Sequence, residues 1–162
     1  MSRPAFSIRP ARSAADLASA TALFRAYAAS IGIDLAYQGF EDELAGLPGK
    51  YAEPAGVILL AEDANGGPLG CVALRPMAER GCCEMKRLYV TPQGRGLGLG
   101  RALVDAVLAE ATRQGYRAMR LDTLPTMTGA IRLYRKAGFA PIAPYYDTPI
   151  TDTLFLGRAL EA

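Results

Sequence analysis

Hydrophobic residues along this chain follow two periods in turn, and the switches between them mark its elements. Phe6-Ser-Ile-Arg9 alternates and ends at Pro10, which predicts a first strand. Ser13 stands as an N-cap candidate with Asp16 three residues on, and Leu17, Ala20, Leu23, Phe24 and Tyr27 follow at helical spacing. Beyond Gly32 the pattern loosens. Phe40 to Leu47 reads as a short helix stopped by Pro48-Gly49, and Tyr37, Gln38 and Phe40 either line a pocket or form a satellite apolar cluster. Val57 to Glu62 and Leu69 to Arg75 are strand-like runs joined through Asn65-Gly66, a strong hairpin signal. A run from about Cys82 to Val90 completes an antiparallel meander.

Four glycines spaced by two, Gly94, Gly96, Gly98 and Gly100, then open onto a helix pattern from about Gly98 to Gln114, with Gly115 at its C′ position. Tyr116 to Asp122 is a strand, expected to lie parallel to the one before it because a helix joins the two. Thr126 to Ala137 predicts a further helix closed by Gly138. Phe139 to Tyr146 and Thr153 to Arg158 are two last strands, broken by Asp147-Thr-Pro149. The sum is one α/β (α+β) domain over residues 1–162, a mixed, mainly antiparallel sheet of about seven strands flanked by about four helices.

Composition narrows the chemistry. The 18 Lys+Arg nearly balance 16 Asp+Glu, so nucleic acid and anionic membrane are not expected partners. Three cysteines, two of them adjacent, do not make a secreted disulfide framework. The chain has no histidine, which removes the usual zinc sites, the Ser-His and Cys-His nucleophile pairs and the commonest general base; no metal is expected. Without a signal-like leader or an apolar span of membrane length, the expectation is a cytoplasmic protein.

The glycines are a phosphate site in outline, since they let backbone approach a ligand and a helix start offers unpaired N–H groups. A Walker loop needs a lysine that does not follow here, and a dinucleotide fingerprint needs Gly or Ala where the three registers give Leu99, Arg101 or Leu103. What remains, Arg95-x-x-Gly98-x-Gly100 with Arg101 next, resembles the acetyl-coenzyme A loop of the GNAT N-acetyltransferase superfamily. The likeness extends from Leu88-Tyr-Val-x-Pro92 before the loop to Ala130-Ile-x-Leu-Tyr-x-x-x-Gly-Phe139 after it.

The resemblance implies the GNAT fold and transfer of an acetyl group from acetyl-CoA to a primary amine, on a small molecule such as an amino acid or on a protein, by direct attack in a ternary complex. It implies a monomer or homodimer. A coenzyme A-binding sensor without catalysis is the alternative. The resemblance also implies that backbone from Leu88, Tyr89 and Val90 pairs with the pantetheine arm and supplies an oxyanion donor. Residues Arg95, Gly96, Leu97, Gly98, Leu99, Gly100 and Arg101 would hold the pyrophosphate. On its helix Tyr134 shares an apolar face with Met127, Ala130 and Ile131 and reads by itself as a core residue, but the resemblance favours a proton donor, since a tyrosine there commonly lies near the coenzyme sulfur. Glu84 matches the water-mediated base of several members, Asp122 is the second candidate, and water alone is the third. Even spacing puts Glu84 on one strand face with Lys86, Leu88 and Val90. Met127 stands where many members carry a coenzyme-contacting asparagine. For the acceptor, Arg75, Lys86 and Arg87 suit a carboxylate, and Tyr145 and Tyr146 fall where the family often closes its pocket.

Overall fold

A computed structural model describes residues 5–161, apart from the side chain of Tyr37, which lies outside the described part. Seven strands form one sheet in the order β1-β2-β3-β4-β5-β7-β6. In chain order they are β1 (Ser7–Pro10), β2 (Val57–Glu62), β3 (Pro68–Pro76), β4 (Cys82–Val90), β5 (Ala118–Thr123), β6 (Ala140–Pro141) and β7 (Leu154–Ala159). The helices are α1 (Ala14–Ile31), α2 (Phe40–Ala45), α3 (Leu99–Arg113) and α4 (Thr128–Lys136). Neighbouring strands run antiparallel except β4 and β5, which the α3 crossover makes parallel.

Local chemistry accounts for most boundaries. Ser13 caps α1 in a full capping box with Asp16, whose carboxylate also takes the Arg12 and Ser13 amides and two nitrogens of Arg9. Gly32 ends α1 in the left-handed conformation. The Asn-Gly turn joins β2 to β3, with Gly66 at φ 81°. The sheet carries α1 and α2 on one face, over a cluster including Phe24, Phe40, Tyr51, Leu60 and Ala73, and α3 and α4 on the other, over Val72, Leu74, Leu103, Val107, Met119 and Tyr134.

Two expectations fail here. Phe139 to Tyr146 is not a strand: only Ala140–Pro141 pairs with β7, and after the Ile142 N–H reaches the Phe155 carbonyl at 2.9 Å the chain leaves as a loop. Pro141 and Pro144 have no N–H to carry a ladder further. The even-spacing rule also breaks within β4. Cys71 pairs with Tyr89 and Ala73 with Lys86, so Val72 alone faces both Arg87 and Leu88. This is a bulge, with Arg87 at φ 62° and its carbonyl receiving the Cys71 thiol at 3.2 Å. The extra residue reverses the alternation: Glu84 and Lys86 face the α1 side, whereas Leu88 and Val90 pack on the α3 side.

Candidate active site

β4 organises the site because its two edges differ. On the β3 side it is paired along most of its length; on the β5 side the register runs only from Cys82↔Ala118 to Glu84↔Arg120. From Met85 onward the two strands diverge, leaving strand backbone facing an opening inside the sheet, a place that an extended ligand can fill as an added strand.

The glycine loop closes one end of this opening. Thr91 caps a single 3-10 turn over Pro92–Gly94, its side chain accepting from the Gly94 amide. Gly94 is buried where a Cβ would lie 2.8 Å from the Leu69 carbonyl, which fixes the loop against β3. Gly98 caps α3 at φ 75° with open space around its Cβ position, so its glycine serves conformation and not packing. The ladder of α3 starts with the Ala102 N–H to the Gly98 carbonyl, leaving the amides of Leu99, Gly100 and Arg101 outside it. Gly100 meets Leu133 of α4, where a Cβ would approach to 3.1 Å. Arg95, Gly96 and Leu97 are exposed on the loop, and Arg101 is exposed and paired with Asp105 at 2.9 Å. Three consecutive free amides at the start of a fifteen-residue helix, beside a left-handed glycine, fit a pyrophosphate.

At the inner end of the opening lies a small cavity, about 20 Å³, lined by Tyr27, Lys86, Leu88, Asp122, Met127 and Tyr134 among others. Tyr134 is buried, stacked edge-on against Phe139, and burial pushes its hydroxyl up, so it remains protonated through neutral and mildly alkaline pH. Met127 accepts a long contact from the Thr123 hydroxyl at 3.7 Å, so a thioether lines the cavity where the family often has an amide.

A larger cavity of about 370 Å³ adjoins on the α1 side, between Arg75, Glu84 and Lys86 of the sheet, the Pro76–Ala78 segment, and Tyr145 and Tyr146 of the β6–β7 loop. Glu84 is buried at its floor. One carboxylate oxygen takes two nitrogens of Arg75 at 2.8 and 2.9 Å, and the other accepts the Tyr145 hydroxyl at 2.6 Å. Burial works against its charge, but Lys86, Arg75 and Tyr145 outweigh it and hold the carboxyl below the usual range. Burial likewise pushes the Tyr145 hydroxyl up, and the Glu84 charge adds to it. Tyr146 donates to Asp122 at the end of β5. Adjacent tyrosines thus reach two carboxylates on two diverging strands, and both rings pack edge-on or tilted with Phe155 and each other at 5.1–5.6 Å.

Of the residues expected to meet an acceptor, Arg75, Tyr145 and Tyr146 line this cavity, whereas Arg87 does not. Its side chain is 2% exposed, held in a fork by Glu43 at 3.0 Å, bonded to Gln38 and seated over the rings of Phe40 and Tyr27. The bulge turns it into an anchor for α2. Lys50 and the Pro76–Ala78 wall had no signal in the sequence, because nothing local to them encodes a cavity formed by distant segments.

The family model described as the acetyltransferase (GNAT) family matches residues 22–139. An uncharacterized N-acetyltransferase of Schizosaccharomyces pombe is 45% identical over 141 residues, covering 87% of this chain and 86% of its own. An acetyltransferase of the GNAT family from Staphylococcus aureus superimposes with a TM-score of 0.80 at 20% identity, over 97% of this chain and all of its own. A Salmonella typhimurium structure described with its cofactor acetyl-CoA does so with a TM-score of 0.72 at 23% identity, over 97% of this chain and 95% of its own. With the family model across most of the chain and a close relative across nearly all of it, the chain belongs to the GNAT family of acyl-CoA N-acetyltransferases.

Proposed function

We propose that the protein transfers an acetyl group from acetyl-CoA to the primary amine of a small acceptor, by direct attack with both substrates bound. The observation that carries this reading is the junction of the two cavities. Tyr134, Asp122 and Lys86 line the small one at the β4–β5 opening, and Lys86 continues into the larger one, which is of a size for a small molecule.

Bound acetyl-CoA supplies a thioester whose C–S bond breaks as the new C–N bond forms. The amides of Leu99 to Arg101 hold its pyrophosphate, with Gly96 and Gly98 giving the loop its path; the β4 edge through Leu88, Tyr89 and Val90 takes the arm; and an amide near the Arg87–Leu88 bulge serves as the oxyanion donor.

An ammonium must lose a proton before it can attack, and two carboxylates are at hand. Glu84 is the more committed, with both oxygens engaged and its acidity raised, so it serves as a fixed negative charge that draws the ammonium in. Asp122 accepts from Tyr146 and shares the small cavity with Tyr134, so it takes the proton, with Tyr146 as its positioning residue. Tyr134 then gives its proton to the departing sulfur. Of the two protons the nitrogen loses, one ends on the thiol and one in solvent.

The test is a panel of primary amines with release of free thiol as the readout. Amine-dependent thiol release from acetyl-CoA is expected. Tight acetyl-CoA binding with no release for any acceptor would replace this reading with a coenzyme A-binding module.

A further inference from the structure

Among the described residues Lys86 is the one charged group that lines both cavities, and although the charges of Glu84 and Asp122 act on it through space, its direct contacts are few. It is 6% exposed, yet among the described residues its ammonium forms no ion pair. An ammonium offers three N–H donors. One goes to the side-chain oxygen of Gln38, at a long 3.3 Å, and that oxygen already accepts from Arg87 at 2.9 Å. Glu84, the nearest strand neighbour on the same face, is held by both nitrogens of Arg75 and by Tyr145. Lys50 adds another positive charge to the larger cavity, and among the described residues lining it Asp147 on the exposed loop is the one acidic residue besides Glu84. Glu84 is engaged by Arg75 and Tyr145 and Asp122 by Tyr146, so a buried ammonium with unused donors at the junction of two cavities can take an anionic group of a ligand.

We propose that the acceptor is an α-amino acid, whose carboxylate binds Lys86 while its amine faces Asp122 and its side chain extends into the larger cavity. This rests on the acetyl-transfer reading and names the acceptor class for it. The position of the cation selects the class. Lys86 and Asp122 line the same 20 Å³ cavity, so an anion held by one and an amine presented to the other must be a few bonds apart, as in an α-amino acid. Beyond them, Pro76, Met77, Ala78 and Pro149 give the larger cavity an apolar wall suited to a medium-sized apolar side chain. A buried cation is unfavourable for amines without a carboxylate, since they bring a second positive charge beside it.

The experiment compares kcat/KM for matched triplets, each an L-amino acid, its carboxamide and its decarboxylated amine, in the wild type, Lys86→Met and Lys86→Arg, with acetyl-CoA affinity checking that each variant is folded. In the wild type the acid should exceed the amide and the amine by roughly tenfold to a hundredfold, as one charge-assisted contact allows. In Lys86→Met that preference should fall towards one, mainly through a raised KM for the acid, and Lys86→Arg should restore part of it. A wild type that accepts amide and amine as well as acid overturns the proposal and leaves the transferase reading standing. So does a Lys86→Met variant that keeps the preference while binding acetyl-CoA normally. Thiol release with other primary amines but with no member of these triplets overturns this proposal alone, and release with no primary amine at all overturns the transferase reading and this proposal with it.

Discussion

At the residue scale, Tyr134 and Arg87 show how burial separates roles that the same strand and helix could have shared. The Tyr134 hydroxyl is pushed up by burial and lines the small cavity with Asp122, so it stays protonated at neutral pH, as its proposed role of proton donor requires. Tyr134→Phe removes only that oxygen and keeps the ring against Phe139. Turnover should fall by about a hundredfold or more, the lower range for general-acid catalysis, with acetyl-CoA affinity unchanged. Equal loss of turnover and affinity would make Tyr134 a packing residue. Because its acidity is lowered, the alkaline limb of the rate profile should not move when Tyr134 is the group removed. Arg87, next in sequence to the proposed oxyanion donor near Leu88, is the buried anchor that joins β4 to Glu43, Gln38 and the α1–α2 aromatics.

At the element scale, the N-termini of the two long helices carry different devices. Asp16 is held far below the ordinary carboxylate range, first by the Arg9 hydrogen bonds and then by the Arg12 and Ser13 amides. A folded-state value below the unfolded one means the unfolded chain binds more protons between the two. The stability it confers is therefore complete above about pH 4 and is lost as the pH falls further. Asp16→Asn should lower stability at pH 7 and flatten its decline in acid, which urea midpoints across pH 2–6 would read. Helix α3 has no side-chain cap, and Gly98 holds it open to a ligand through a left-handed backbone. Gly98→Val strains that left-handed residue by roughly 1–2 kcal/mol, while open space surrounds the position its Cβ would take. It should abolish acetyl-CoA binding in a protein that still unfolds cooperatively, and retained binding would sink the loop assignment. Both devices were legible in the sequence because each is local: a Ser and an Asp three apart, and glycines that enter a helical period. The β4 bulge was not, since nothing short-range announces an extra residue at Lys86-Arg87, and the even-spacing rule carried Glu84 to the wrong face of Leu88. The strand read through Phe139 to Tyr146 failed because two prolines end the ladder, and the true partners of the tyrosine pair, Glu84 and Asp122, lie 61 and 24 residues away.

At the scale of the whole molecule, the sheet is built with a gap in its middle. Within the central strands β1 to β5 and β7, the antiparallel junctions run over four to six register pairs, but β4 and β5 share only three before they part. Backbone facing such an opening has hydrogen-bonding capacity without a strand to use it, and the loop, the β4 edge and the Tyr134 cavity all converge on it. A ligand that binds all three ties the β1–β4 half to the β5–β7 half and stabilises the folded state by mass action. At a hundred times its Kd, acetyl-CoA should add about 2.7 kcal/mol. For a domain of this size that is an increase in Tm of roughly 5–11 °C. The same shift should vanish in Gly98→Val and persist in Tyr134→Phe, because the first alters the loop and the second only the proton donor. Nicotinamide dinucleotides, excluded by the glycine spacing, should give none; protection by them where acetyl-CoA gives none would overturn the assignment of the opening, and with it the partition of the sheet into two halves joined by an acyl-coenzyme A arm.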